Sequence, residues 1–204
     1  MIAAAMAAQS NRQIEIVQAT LQLAFELGPD AVSTSRIAGR LGISQPAIYK
    51  HFKNKDAIWL AVSDQLAEQF TKIVRNGEAS ALPPVARLRD LFLQHAQFIQ
   101  SVPALPDIMV MRNATGSHEV IRRRLQKEMA QLRSLMVHLA EQAQSQGEIC
   151  KFISAPDIVN LIIGVMQSQI LKMIISREPS HLVRDCARLF DLQIAALASK
   201  GPAL

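Results

Sequence analysis

The stretch from Thr34 to Phe52, Thr-Ser-Arg-Ile-Ala-Gly-Arg-Leu-Gly-Ile-Ser-Gln-Pro-Ala-Ile-Tyr-Lys-His-Phe, restricts the possible folds of this chain more than any other. Two short helices that cross steeply need a small residue where they touch, a turn residue that tolerates positive φ, and apolar anchors on their inner faces. Ala38 meets the first need, Gly42 the second, and Ile37, Leu41, Ile43 and Ile48 the third. The pattern predicts a helix-turn-helix; the competing reading is an ordinary corner of a helical bundle, which also uses glycine and aliphatic residues. Ser33 is placed to cap the first helix, which ends at Leu41, and Ser44 to cap the second, from Gln45 to about His51. Asn54 can then cap a longer helix reaching about Arg75.

The rest of the chain is punctuated in the same way. Ile14, Val17, Leu21, Ala24 and Phe25 recur at helical spacing from about Gln9 to Leu27, and Gly28-Pro29-Asp30 ends that run. Residues Met1 to Ala8 lack the basic start and long apolar core of a signal peptide and are expected to form a frayed arm. Beyond Asn76-Gly77 the character changes. Pro83-Pro84 opens a helix to about Gln100, Pro103 and Pro106 frame a short one near Arg112, and Ser117 starts a long one ending at Gly147. Ser154-Ala155-Pro156-Asp157 reads as a capping box opening a helix to about Arg177, and Pro179-Ser180 opens the last. With 8 Gly and 9 Pro in 204 residues and half of all residues hydrophobic, the expected class is all-α, with about nine helices and no strand. The natural division is a helix-turn-helix domain over 1–53 and a second helical domain over 54–204.

Charge placement narrows the function. The formal net charge of +5 permits a polyanionic partner without demanding one. Residues 44–55, however, contain Lys50, His51, Lys53 and Lys55 and no acid, whereas a solvated helix face usually mixes signs. Tyr49 is expected to face outward with them, because Ile48 and Phe52 occupy the core-facing side. No His-Glu-x-x-His, phosphate-cradling Gly-rich loop or Gly-x-Ser-x-Gly elbow is present. His51, His95, His118, His138 and His181 show no metal-ligand spacing, so neither catalysis nor a metal or cofactor is expected. Cys150 and Cys186 lie far apart in apolar stretches and read as reduced core residues.

At Ala24-Phe-Glu-Leu-Gly28, Ser33-Thr-Ser-Arg-Ile-Ala38, Leu41-Gly-Ile-Ser44 and Ile48-Tyr-Lys-His-Phe-Lys-Asn-Lys55, the chain resembles the N-terminal domain of the TetR family of bacterial transcriptional regulators. The resemblance covers about the first third of the sequence. It implies an all-helical homodimer that binds double-stranded, palindromic operator DNA in the cytoplasm and is released by a small ligand in its C-terminal domain. Carried over by position, DNA contacts fall on Thr34, Ser44, Gln45, Tyr49, Lys50, His51 and Lys55. Pro46 stands where many members have glycine, which removes an N–H from that position. The alternative is an architectural or division-control protein of the same fold, whose second domain binds a protein partner.

The C-terminal region supports expectations of its own. The helix from Asp157 is apolar nearly all round except for a stripe through Asp157, Asn160, Gly164, Gln167 and Ser168, as suits one packed on its own domain and on a partner. The competing reading is a central helix of a monomeric bundle. Gly164, Phe190 and Ile194 are the expected dimer-interface residues. A small apolar ligand is expected near His95, Met109, Arg112, Met166 and Gln169, although methionine at helical spacing is more often core filler. The uncharged run Ile158 to Leu171 is shorter than a membrane span, so no membrane partner is expected. Arg122-Arg-Arg124 with Lys127 is flanked by Glu119 and Glu128, and is expected to form a solvated helix face.

Overall fold

The computed structural model describes the backbone of residues 2–110 and 117–198, and the side chains of 11–110 and 119–198. The described residues form α1 (Ile2–Leu27), a short 3-10 turn (Pro29–Ala31), α2 (Thr34–Leu41), α3 (Gln45–Tyr49), α4 (Lys55–Ala79), α5 (Pro84–Ser101), α6 (Leu105–Val110), α7 (Ser117–Ser145), α8 (Ala155–Ser176) and α9 (Leu182–Ala198). No strand occurs among them, and the all-α class holds.

Two helix bounds correct the expectation. The backbone of α1 is helical from Ile2 rather than Gln9, as the alanine-rich start favours, so the stretch expected to be a frayed arm is part of the helix from Ile2 on. Helix α4 continues past Asn76-Gly77 to Ala79. Gly77 serves packing there rather than termination: a Cβ would lie 2.4 Å from Cδ2 of the buried Leu91 on α5. Its carbonyl also accepts from Nε and Nη2 of Arg87, at 3.2 and 2.9 Å.

The chain divides into two compact units, one made of Met1–Glu68 with Val102–Gln126 and the other of Gln69–Ser101 with Lys127–Leu204. In the first, α1 packs on α2, on the 3-10 turn and on α6. Because it is covered from several sides, its buried arc is wider than one stripe. Ile16, Ala19, Thr20 and Leu23 are buried along with Val17, Leu21 and Ala24, while Ile14 is exposed and Phe25 only half-buried. Thr20 satisfies its hydroxyl by donating to the Ile16 carbonyl at 2.7 Å. Ile37, Ile48, Ile58, Trp59, Val62 and Leu66 complete this core.

The second unit is closed by α5, α8 and α9, with α9 packed on both of the others. Phe92 meets Phe190 with ring centroids 5.2 Å apart, and Phe70 meets Phe98 edge-on at 5.1 Å. Distant polar contacts tie its ends. The Glu148 carboxylate accepts from the Val85 N–H at 3.0 Å, Gln100 Oε1 accepts from the Val183 N–H at 3.0 Å, and the Cys150 N–H donates to the Leu197 carbonyl at 2.9 Å. Gln144 Nε2 donates to the carbonyls of Cys150 and Ile153, fixing the turn before α8. The expected capping box is present: Ser154 Oγ accepts from the Asp157 N–H at 3.3 Å and donates to its carboxylate at 2.6 Å.

Phe190 is fully buried in this unit, so its assignment to a dimer interface is corrected: α9 turns it inward onto Phe92. Cys186 is buried and its thiol is pushed up to about 11 by that burial and by Asp185, but Cys150 is only half-buried. Helix α8, at 22 residues, outruns the uncharged stretch within it and is long and apolar enough, by composition alone, to cross a bilayer.

Candidate functional site

Local chemistry builds the α2–turn–α3 corner. Ser33 lies in extended conformation and its Oγ accepts from the Arg36 N–H at 3.3 Å, an N-cap. The far end of α2 closes on Gly42 at φ 65°, with its N–H donating to the Gly39 carbonyl and that of Ile43 to the Ala38 carbonyl. This is the paired C-terminal closure that a left-handed residue permits, and it sets the angle at which the chain enters α3. At the start of α3, Ser44 makes no side-chain cap, contrary to expectation. Pro46 has no N–H to offer, and the Ala47 N–H is taken by the Ser44 carbonyl at 2.9 Å, so the Ser44 hydroxyl stays free. Asn54 does cap α4, its Oδ1 accepting from the Ala57 N–H at 2.8 Å.

Ile48 and Phe52 are buried on the inner side of α3 and the turn after it. On the outer side Ser44, Gln45, Tyr49, Lys50 and Lys53 are exposed, Tyr49 by 47%. Lys55 and His51 are half-buried. The His51 carbonyl accepts from Gln13 Nε2 at 3.2 Å, which ties α1 to the end of the corner. Nothing in the local sequence signals that contact, across 38 positions. Thr34 is the exception among the expected contacts: it is buried, with 7% of its surface exposed. Its Oγ1 accepts from Gln45 Nε2 at 2.8 Å and lies 3.3 Å from the Tyr49 hydroxyl. The face therefore joins cations, an amide and a phenol with no carboxylate within it. On the neighbouring surface Arg40 is bound to Glu26 through two contacts, which holds the Glu26 carboxyl below its usual range.

The expected ligand residues that the structure describes divide between the two compact units. His95 on α5 is half-buried against Phe70, 5.5 Å between ring centroids, and burial pushes its imidazole down to about 4. Met166 is buried on α8; Gln169 is half-buried and donates to Ser168 Oγ at 3.1 Å. Met109 belongs to the other compact unit, on α6, and Arg112 lies outside the described residues. Gln169 lines a small cavity of about 90 Å³ with Lys172, Met173, His181 and Asp185. A larger open cleft of about 650 Å³ runs between α4 and α7, lined by Thr71, Arg75, Glu78, Lys127, Gln131 and Leu135 among others. Sequence reasoning missed it, because its walls come from two helices more than forty positions apart. On α7, Arg123 pairs with Glu119 at 2.6 Å and Arg124 with Asp64, as a solvated, charge-matched face would. Among the described residues no cluster of three or more His, Cys, Asp or Glu side chains could hold a metal.

Helices α8 and α9 expose apolar side chains. Leu161, Leu171 and Ile175 on α8 and Leu192 on α9 are between 51% and 76% exposed. Gly164 lies between them at helical spacing and is itself exposed, with no described atom beyond the adjoining backbone of α8 within 4 Å of where its Cβ would stand. Ile194 is half-buried.

Two family models match the chain: bacterial regulatory proteins of the tetR family over residues 16–62, and the tetracyclin repressor-like C-terminal domain over residues 108–189. Together they cover more than half of it. The class A tetracycline repressor of Escherichia coli is 43% identical over 60 residues, 29% of this chain and 28% of that protein. The chain spans 23% to 43% of the length of the first three tetracycline repressors it matches. A nucleoid occlusion factor, SlmA of Enterobacter sp. (strain 638), is 27% identical over 69% of this chain and 72% of its own. Among solved structures, the transcriptional regulator FadR of Bacillus subtilis, in complex with stearoyl-CoA, aligns with a TM-score of 0.64 at 16% identity, over 91% of this chain and 97% of that one.

Proposed function

Because the chain belongs to the tetR family of bacterial regulatory proteins and is a transcriptional regulator with a DNA-binding helix-turn-helix, we propose that it is a ligand-responsive repressor that grips palindromic operator DNA as a homodimer. The reading head is residues 1–53, and residues 54–204 carry the ligand and the dimer contact. Ser44, Gln45, Tyr49, Lys50 and Lys55 contact DNA, His51 and Thr34 support them, and the protein works in the cytoplasm without catalysis of its own. The observation that carries this reading is the acid-free outer face of α3 and the turn after it. Lysines there suit phosphate oxygens, and a glutamine suits a base edge. The exposed apolar side of α8 around Gly164 supports dimerisation. The stearoyl-CoA held by FadR supports an apolar effector, and the cleft between α4 and α7 is one place open to it. An effector acts by preferring one spacing of the two recognition helices, since half-sites lie about one helical turn, roughly 34–36 Å, or a multiple of it apart.

The test is selection of duplexes from a randomised pool by the full-length chain, followed by titration across salt concentrations. A palindrome is expected, with log affinity falling linearly in log salt, and Lys50→Ala should flatten that slope by about one unit. Failure to enrich any sequence, or binding indifferent to salt, overturns the reading. A second reading is favoured by the SlmA match, which spans more of the chain than the class A repressor match does: the same DNA-binding head serves chromosome-linked control through a protein partner. An enriched palindrome whose binding no apolar compound weakens would favour it.

A further inference from the structure

We propose that Thr34 is a positioning residue that sets the base preference of Gln45, and that it does so together with Tyr49 rather than by touching DNA itself. The proposal rests on the DNA-reading assignment above and deepens it. Thr34 is the first residue of α2 and is buried, whereas Gln45 and Tyr49, four positions apart on α3, share an exposed face. One hydroxyl lies behind both of them: Thr34 Oγ1 accepts from Gln45 Nε2 at 2.8 Å and lies 3.3 Å from the Tyr49 hydroxyl.

The chemistry of that arrangement is directional. A hydroxyl has one proton to give and two lone pairs to accept with. With one lone pair taken by the Gln45 amide, Thr34 keeps its proton and a second lone pair for the Tyr49 hydroxyl, and either oxygen of that pair can donate; in the arrangement we infer, Thr34 gives its proton to Tyr49, and the Tyr49 proton is left to point outward at a phosphate oxygen. The chain then runs from the amide N–H through two hydroxyls to the DNA backbone, each bond polarising the next. It also fixes which way round the amide lies. Gln45 keeps its second N–H and its carbonyl oxygen free on the outer side, the donor and acceptor that match N7 and the N6 amino group of adenine. A glutamine released from Thr34 turns its amide freely and can offer the reverse order. Thr34 thereby couples a backbone contact at Tyr49 to base selection at Gln45.

The experiment measures base preference with duplexes enriched from a randomised pool by the full-length wild-type chain, each base then substituted in turn. Thr34→Val keeps the buried shape and removes the hydroxyl; Thr34→Ser restores it. Thr34→Val should cut the preference for adenine at one base pair of each half-site by roughly five- to tenfold, as loss of a single hydrogen bond implies, while Thr34→Ser keeps it. In a Gln45→Ala background Thr34→Val should cause no further change at that base pair, because the two act as one unit. Unchanged thermal unfolding of Thr34→Val would confirm that the fold is intact. A loss of affinity equal for all four bases, or independent and additive effects of Thr34→Val and Gln45→Ala, overturns the inference and leaves the DNA-reading assignment intact. A wild-type chain that enriches no sequence overturns the assignment and the inference together.

Discussion

The outer side of α3 and the outer side of α8 are both helix faces left open to solvent, yet the first shows Gln45, Tyr49 and Lys50 and the second Leu161, Leu171 and Ile175. A polar face stays open at no cost, since water satisfies its donors and acceptors as well as a partner would. An apolar one forgoes roughly 1.5–3 kcal/mol for each large aliphatic side chain left uncovered. The two faces are therefore suited to different partners: a polyanion, attracted in proportion to the charges neutralised and released by salt, and an apolar surface, whose attachment salt does not loosen. Gly164 sharpens the contrast. A glycine inside a helix costs about 0.5–1 kcal/mol relative to alanine, and among the described residues no atom beyond the adjoining backbone of α8 lies within 4 Å of its missing Cβ. Among the described residues nothing requires a glycine there; a second helix approaching closely would.

That argument yields the largest effect expected. Gly164→Leu should raise the dimer dissociation constant roughly 10- to 100-fold, the ~1–3 kcal/mol that overpacking a close contact costs, as measured by sedimentation. Its unfolding midpoint, taken at concentrations where the wild type is monomeric, should be unchanged or slightly higher, because leucine favours helix over glycine. An unweakened dimer would move the contact off α8 and erase the contrast between the two faces.

The interiors differ too. Under the reading face the buried polar group is the Thr34 hydroxyl, which carries no charge. The second unit instead holds the half-buried His95 against Phe70, where burial pushes the imidazole down to about 4 from an ordinary value of 6.5. The unfolded chain takes up a proton below pH 6.5 that the folded chain resists until about 4. The stability this group lends is thus whole above 6.5 and lost as pH falls toward 4, by roughly 2–3 kcal/mol. Urea unfolding at pH 7 and pH 4.5 should show a clear acid loss in the wild type and a smaller one in His95→Phe, which keeps a ring against Phe70. Equal losses in the two proteins would mean the imidazole is solvated and titrates normally.

The same two regions explain what could be read in advance. The reading corner is made of short-range devices: Ser33 capping Arg36, Gly42 closing α2, Asn54 capping Ala57, each announced by a residue type at a fixed offset. Thr34 was visible as a polar residue at the start of α2, but its burial depends on where α3 folds back, eleven positions later. Gln13 beneath His51 and Gly77 beneath Leu91 are further cases in which the partner, not the residue, decides the role. In the second unit most of the defining contacts are of that kind. Helical spacing showed that Phe190 and Ile194 share an apolar side, yet only the meeting with Phe92 puts Phe190 in the core rather than on a partner. The expected ligand residues meet the same limit: residue type can nominate a polar hook, but convergence is a property of helix packing.

The smallest expected effect tests how far such long-range contacts hold the second unit together. Arg89 Nε and Nη2 meet both carboxylate oxygens of Asp191 at 2.7 and 2.9 Å, joining α5 to α9 across 102 positions of sequence. The hydrogen bond from Arg89 holds the Asp191 carboxyl below its usual range. Both side chains, however, are largely exposed, at 42% and 53%, so water screens the pair. Exposed ion pairs are worth ~0.2–1 kcal/mol, even when geometry is good. Arg89→Ala should accordingly lower unfolding stability by less than about 1 kcal/mol at neutral pH, and by less still in high salt. A depressed carboxylate contributes while it is ionised and loses that contribution as pH falls through its folded value, so wild type and variant should converge in acid below the ordinary carboxylate range. A loss above 2 kcal/mol would make the bidentate pair a main tie between α5 and α9. The small loss expected leaves that work to Phe92 against Phe190 and the apolar side chains around them, and makes the second unit, like the outer face of α8, a structure governed by apolar contact.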